Sequence, residues 1–162
     1  MKNTFWRILK KNRISKLILL GFLPILIGGF IYLISRPKTI LLFEWIKLMQ
    51  LETEANVVRK FFSSYVLSEW TKFNLPDLLW VFSFTSVILI IWKDVKSKIK
   101  ILYCVTPLFI GITSEVIQYF DKSFGTFDFK DIIFYFIGFI LSIIIFKTIN
   151  QSKNEKQITT LI

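Results

Sequence analysis

The sequence predicts an all-α integral membrane protein, a four-helix bundle with one or two interfacial amphipathic helices in its long first outer loop. Three observations predict it. Hydrophobic residues make up 54% of the 162 positions and fall in blocks rather than scattered through the chain. Four of those blocks approach the roughly 20 apolar residues needed to cross a hydrocarbon core of about 30 Å. The 21 Lys and Arg, which outnumber the 11 Asp and Glu to give a net charge of +10, concentrate on alternate connecting pieces.

Composition also excludes several chemistries. Histidine is absent, so no Ser/His or Cys/His nucleophile pair, HExxH zinc helix or imidazole switch can form. Cys104 is the single cysteine, which rules out an internal disulfide and a cysteine-rich metal site. Chemistry is left to carboxylates, amides, hydroxyls and cations. The sequence calls for no cofactor and no metal.

Residues 1–16 form a basic amino-terminal stretch with six cations, Lys2 to Lys16. The first spanning block, 17–35, runs LILLGFLPILIGGFIYLIS without a charge between Lys16 and Arg36. It exceeds the roughly 7–15 apolar residues of a signal peptide core, and Ser35-Arg36-Pro37 is a poor cleavage site, so it reads as a retained anchor. Residues 36–74 make an outer segment with two amphipathic patterns. Leu41, Leu42, Trp45, Leu48 and Met49 share one helical face, and Val57, Val58, Phe61, Phe62, Tyr65 and Val66 share another. Neither can span, and both suit helices lying in the headgroup region or roofing the bundle. The second block, 75–92, opens with Asn74 as a cap, Pro76 in its first turn and Asp77 as its only charge. The third, 101–120, contains Pro107, expected to kink it, and Cys104 as apolar filler. The fourth, 131–149, carries Gly138 and Ser142, small enough for close helix contact. A polar, mobile tail, 150–162, follows. Trp6, Trp45, Trp70, Trp80 and Trp92 read as interfacial anchors.

Cytoplasmic flanks keep the excess of Lys and Arg. The amino terminus, the loop after the second block and the tail together with Lys147 at the end of the fourth block hold 13 of them, whereas the outer segment and the loop 121–130 hold eight. Both termini are therefore expected in the cytoplasm, and the net positive charge is assigned to topology and anionic headgroups rather than to nucleic acid.

In that topology Asp77, Glu115, Gln118, Asp128 and Asp131 collect toward the outer face. Glu115 precedes Phe120 by five residues, about 7 Å along a helix, so it lies below the boundary and must face protein or a wet cavity. Ser114 and Gln118, four residues apart, share its neighbourhood and the same helix face. Each residue also has a plain structural explanation. Asp77 can serve the helix dipole, Asp128 and Asp131 can make a capping-box-like pair behind the turn at Gly125, and Glu115 can tie helices together.

The stretch Ser114-Glu115-Val116-Ile117-Gln118-Tyr119-Phe120, followed by Gly125-Thr126-Phe127-Asp128-Phe129-Lys130-Asp131 and Gly138, resembles the VanZ-like membrane protein family. That family shows a Glu-x-x-Gln near a helix end, a loop with an aromatic-Asp pair, and an Asp opening a final Gly-containing helix. Leu75-Pro76-Asp77-Leu78-Leu79-Trp80 is similar to the start of an earlier helix in some members, so the resemblance covers about residues 75–145. The chain departs from the pattern at Thr126, where many members carry Arg, at Tyr135, where they carry Asn, and at Ser142, where they carry Gly. The resemblance implies a role in the bacterial cell envelope and a contribution to teicoplanin or lipoglycopeptide resistance. The candidate binding residues are Glu115, Gln118, Asp128, Asp131, Asp77, Ser114 and Tyr135.

Three functions fit these residues. In the first, the outer polar pocket engages membrane lipid or lipid-linked cell-wall material. In the second, a membrane enzyme uses a carboxylate as general acid or Mg²⁺ ligand on a lipid-linked or glycosidic substrate. In the third, the chain is an accessory subunit for a membrane protein partner, with its polar groups serving only to hold helices together.

Overall fold

The computed structural model describes residues 12–38, 41–95, 97–122 and 125–159, with the backbone alone for 41 and 151–159. The basic stretch 1–11 with Trp6, the loop cation Lys96 and the end of the tail lie outside the described residues. So do the side chains of Lys153 and Lys156. All regular structure among the described residues is helical.

Helix α1, Arg13–Ser35, contains a π-helical turn at Leu17–Phe22. The wider turn offers the Gly21 carbonyl sideways, and the Ser83 hydroxyl donates to it. Next come α2 (Leu41–Leu48), α3 (Glu52–Phe62) and the short α4 (Glu69–Phe73). After these, α5 is Leu75–Ile91, α6 is Lys98–Phe120 and α7 is Phe129–Thr159. Among the described residues three stretches are long and apolar enough to cross a membrane: Arg13–Ser35, Lys98–Phe120 and Phe129–Asn150. The block predicted at 75–92 forms a helix of 17 residues. At about 1.5 Å per residue it falls short of a 30 Å core taken alone.

That shorter helix is the most enclosed. Val81, Phe82, Thr85, Ser86, Leu89 and Ile90 of α5 are all buried, because α1, α6 and α7 pack around it. Phe82 and Ile90 join Leu20 and Ile149 in one apolar cluster, and Val81 joins Leu108 and Tyr135 in a second. The predicted close contact at Gly138 exists. The Leu78 carbonyl occupies the space where a side chain at 138 would begin, so α5 and α7 meet backbone to backbone.

Several expectations are corrected. Among the described residues the first helix begins at Arg13, and Lys16 is buried with its Nζ donating to Asn150 Oδ1 at 3.1 Å. Residues 150–159 continue α7 instead of forming an irregular tail. In the amphipathic helices Phe43 and Ala55 face protein, while Leu48 (80% exposed) and Phe61 face outward, as does Val66 (92%) beyond the end of α3. Surface apolar residues suited to lipid and buried ones give the same periodic signal, and only packing separates them. Trp80 packs its ring on Tyr135, 5.7 Å between centroids. Helix α6 runs unbroken through Pro107, which is buried, as is Cys104.

Candidate functional site

The ends of α1 and α6 and the starts of α5 and α7 gather at one end of the molecule around a half-open cavity of about 530 Å³. The opposite end is basic. There Arg13 donates to the Ile91 carbonyl and Lys16 reaches Asn150. Every predicted site residue lines the cavity: Asp77, Ser114, Glu115, Gln118, Asp128, Asp131 and Tyr135.

Glu115 is the hub. Only 2% exposed, it presents Oε2 to the backbone N–H of Asp128 at 3.1 Å and Oε1 to the Tyr135 hydroxyl at 3.3 Å, tying α6 to the loop and to α7. Asp128 caps α7 as expected, accepting from the Lys130 N–H at 2.9 Å. The capping box is not reciprocal. The Asp128 N–H that an acidic third residue would accept is taken by Glu115, which leaves Asp131 free to turn elsewhere. Asp131 accepts from Asn74 Nδ2 at 2.5 Å and lies against the carboxyl group of Asp77. Asn74 therefore bridges to α7 rather than capping α5, where its side chain makes no cap hydrogen bond. Gln118 donates to the Ser114 hydroxyl at 3.3 Å, so the predicted shared face exists, and Gly125, at φ +144°, packs against the Gln118 amide.

One cation enters the cavity, and it comes from α1. Arg36 stacks its guanidinium 4.9 Å over the Tyr32 ring and 4.7 Å over Phe73, while its Nε is buried without a hydrogen-bond partner among the described residues. The helix end that carries it is held from α3. Arg59 Nη1 donates to the carbonyls of Leu33 and Arg36, at 2.5 and 2.8 Å, filling acceptors that a helix C-terminus leaves open. Phe43 of α2 lies beneath that guanidinium at 5.0 Å. The outer helices thus clamp the helix that presents Arg36.

Sequence reasoning missed Arg36, Asn74, Tyr32, Trp80 and Arg59 as members or supports of the site. Arg36 carried the signal of a helix boundary and Asn74 that of a cap, and nothing local distinguishes those roles from a place in a cavity.

Four carboxyl groups (Asp77, Glu115, Asp128 and Asp131) against one guanidinium make the cavity electronegative. Glu115 has both oxygens engaged, and Asp128 and Asp131 each accept one hydrogen bond. Among the described residues no three Asp, Glu or Cys side chains converge as a metal site would require. The arrangement suits a ligand that offers its own donors and positive charge to fixed acceptors.

No protein-family model, curated protein or solved structure matches this chain in the comparisons made with each.

Proposed function

We propose that the chain is a multi-pass protein of the bacterial plasma membrane whose cavity opens outward and engages envelope lipid or lipid-linked cell-wall material. In this reading α1, α5, α6 and α7 form a four-helix bundle with both termini in the cytoplasm. Helix α5, short but surrounded by the other three, completes the crossing at the membrane centre. The observation that carries the reading is the convergence of Asp77, Glu115, Asp131 and Arg36 from four different helices on one cavity, at the end away from the basic flanks. Ionisable groups held at membrane depth are costly, and structural hydrogen bonding alone does not require so many around open space.

Within this reading, the resemblance to the VanZ-like family extends the role to teicoplanin or lipoglycopeptide resistance. In cells where the protein lowers teicoplanin sensitivity, Glu115→Ala abolishes the effect while membrane levels stay constant; retained tolerance would count against the proposal. Orientation is tested in a Cys104→Ser background. A cysteine placed at Lys122 reacts with an impermeant maleimide in intact cells and one at Lys98 does not. The reverse pattern would turn the cavity to the cytosol and remove the envelope role.

A further inference from the structure

Beside the polar cavity lies an apolar groove of about 260 Å³ between α1 and α5, walled by Ile25, Pro76 and Trp80 and floored by Gly28 and Gly29. The two spaces share Tyr32 and Trp80, so they adjoin rather than occupy separate faces. The two glycines differ in a useful way. A Cβ at Gly28 meets Pro76 and Leu79 at 3.6 and 3.7 Å, whereas a Cβ at Gly29 meets nothing within 4 Å. Gly29 therefore leaves open groove rather than permitting a helix contact.

Both signs of charge stand where the two spaces join. Arg36 stacks on the ring of the shared Tyr32, with its Nε buried and without a hydrogen-bond partner among the described residues. Asp77, next in the chain to Pro76 of the groove wall, lines the adjoining cavity with Asp131 and Glu115. Apolar space beside a cation and carboxyl groups complements a molecule that joins a hydrocarbon tail to a phosphate and a primary ammonium.

We infer that the groove and the cavity form one site for a single phospholipid with an amino headgroup. A tail lies over Gly29, the phosphate meets Arg36 and the ammonium is held by Asp77 and Asp131. This rests on the proposed envelope-lipid role and specifies its ligand class. Guanidinium–phosphate pairing is the strong, charge-assisted kind of hydrogen bond, and a desolvated ammonium needs carboxyl partners in the same way.

The test is native mass spectrometry of the detergent-purified full chain, titrated with phosphatidylethanolamine, with phosphatidylglycerol and with glycerophosphoethanolamine, which has the headgroup but no acyl chains. The wild type is expected to hold phosphatidylethanolamine at least about tenfold tighter than phosphatidylglycerol, the scale of one lost charge-assisted bond. Gly29→Leu, which fills the groove and displaces the tail from its packing contacts, lowers that affinity about tenfold. Arg36→Gln lowers it about tenfold. Equal binding of the two phospholipids, or a Gly29→Leu protein that binds like the wild type, overturns the inference.

A second measurement needs no variant. Phosphatidylethanolamine with a diazirine in its acyl chain is expected to label Ile25, Tyr32 or Trp80 of the wild type, and labelling confined to Phe109 or Phe136 overturns the inference. If glycerophosphoethanolamine binds as tightly as the intact lipid, the two-part site fails while the polar cavity keeps its role. Binding of no probe, intact or headgroup alone, refutes both.

Discussion

The hydrogen bond between Glu115 and Tyr135 gives the sharpest quantitative test of how this end of the molecule is held. Replacing Glu115 by Leu removes the acceptor for the Asp128 N–H and for the Tyr135 hydroxyl at once. A buried donor left unsatisfied costs about 1–3 kcal/mol. Tyr135 is only 4% exposed and Glu115 lies beside it, so water does not replace the lost partner. The Asp128 N–H is partly buried and falls at the low end of that range. Together the substitution should destabilise by roughly 2–4 kcal/mol.

A double-mutant cycle isolates the pair. Glu115→Leu and Tyr135→Phe, measured singly and together by reversible unfolding in mixed micelles, should show a coupling energy of about 1 kcal/mol. Strictly additive effects would mean that the hydroxyl and the carboxyl group do not recognise each other, and the hub role of Glu115 would fall. The stability measurement is independent of any ligand, so it separates the scaffold contribution of Glu115 from its part in binding.

Other perturbations follow from the same contacts. Gly138→Val drives a side chain into the Leu78 carbonyl, which cannot yield as a flexible side chain would. It should cost about 3 kcal/mol or more, seen as loss of monodisperse protein in size-exclusion chromatography, and a well-behaved variant would contradict the backbone contact. Arg59→Ala strips the Leu33 and Arg36 carbonyls of their donor and should release the outer helices, so protease cleavage within residues 41–62 accelerates. Unchanged cleavage would show that α3 is held otherwise. Asn74→Asp replaces the donor facing Asp131 by a third acid beside Asp77 and Asp131. The thermal midpoint should fall by several degrees at neutral pH and recover on acidification as the extra carboxylate is neutralised, and a pH-independent loss would argue for a packing effect instead.

The apolar blocks were legible because crossing a bilayer demands a length of uninterrupted hydrophobic residues, and a local run of sequence meets that demand by itself. The meeting of Glu115 with the 128–131 region was legible for a related reason. Both sit near the ends of consecutive helices joined by a short loop, and such ends must adjoin. Gly138 was legible as a small residue at a crossing, although its partner, the Leu78 carbonyl, was not.

What the sequence by itself determined, then, is the helical class, the placement of the apolar segments and the collection of acids toward one end. Tertiary structure alone decided that Arg36 enters the cavity, that Asn74 bonds Asp131 rather than its own helix, and which faces of α2 and α3 turn inward. Those outcomes depend on elements separated by tens of residues, 57 in the case of Asn74 and Asp131. Hydropathy and capping preferences are local quantities. A side chain's partner across helices is fixed only when the crossing of those helices is fixed, by contacts such as the one at Gly138.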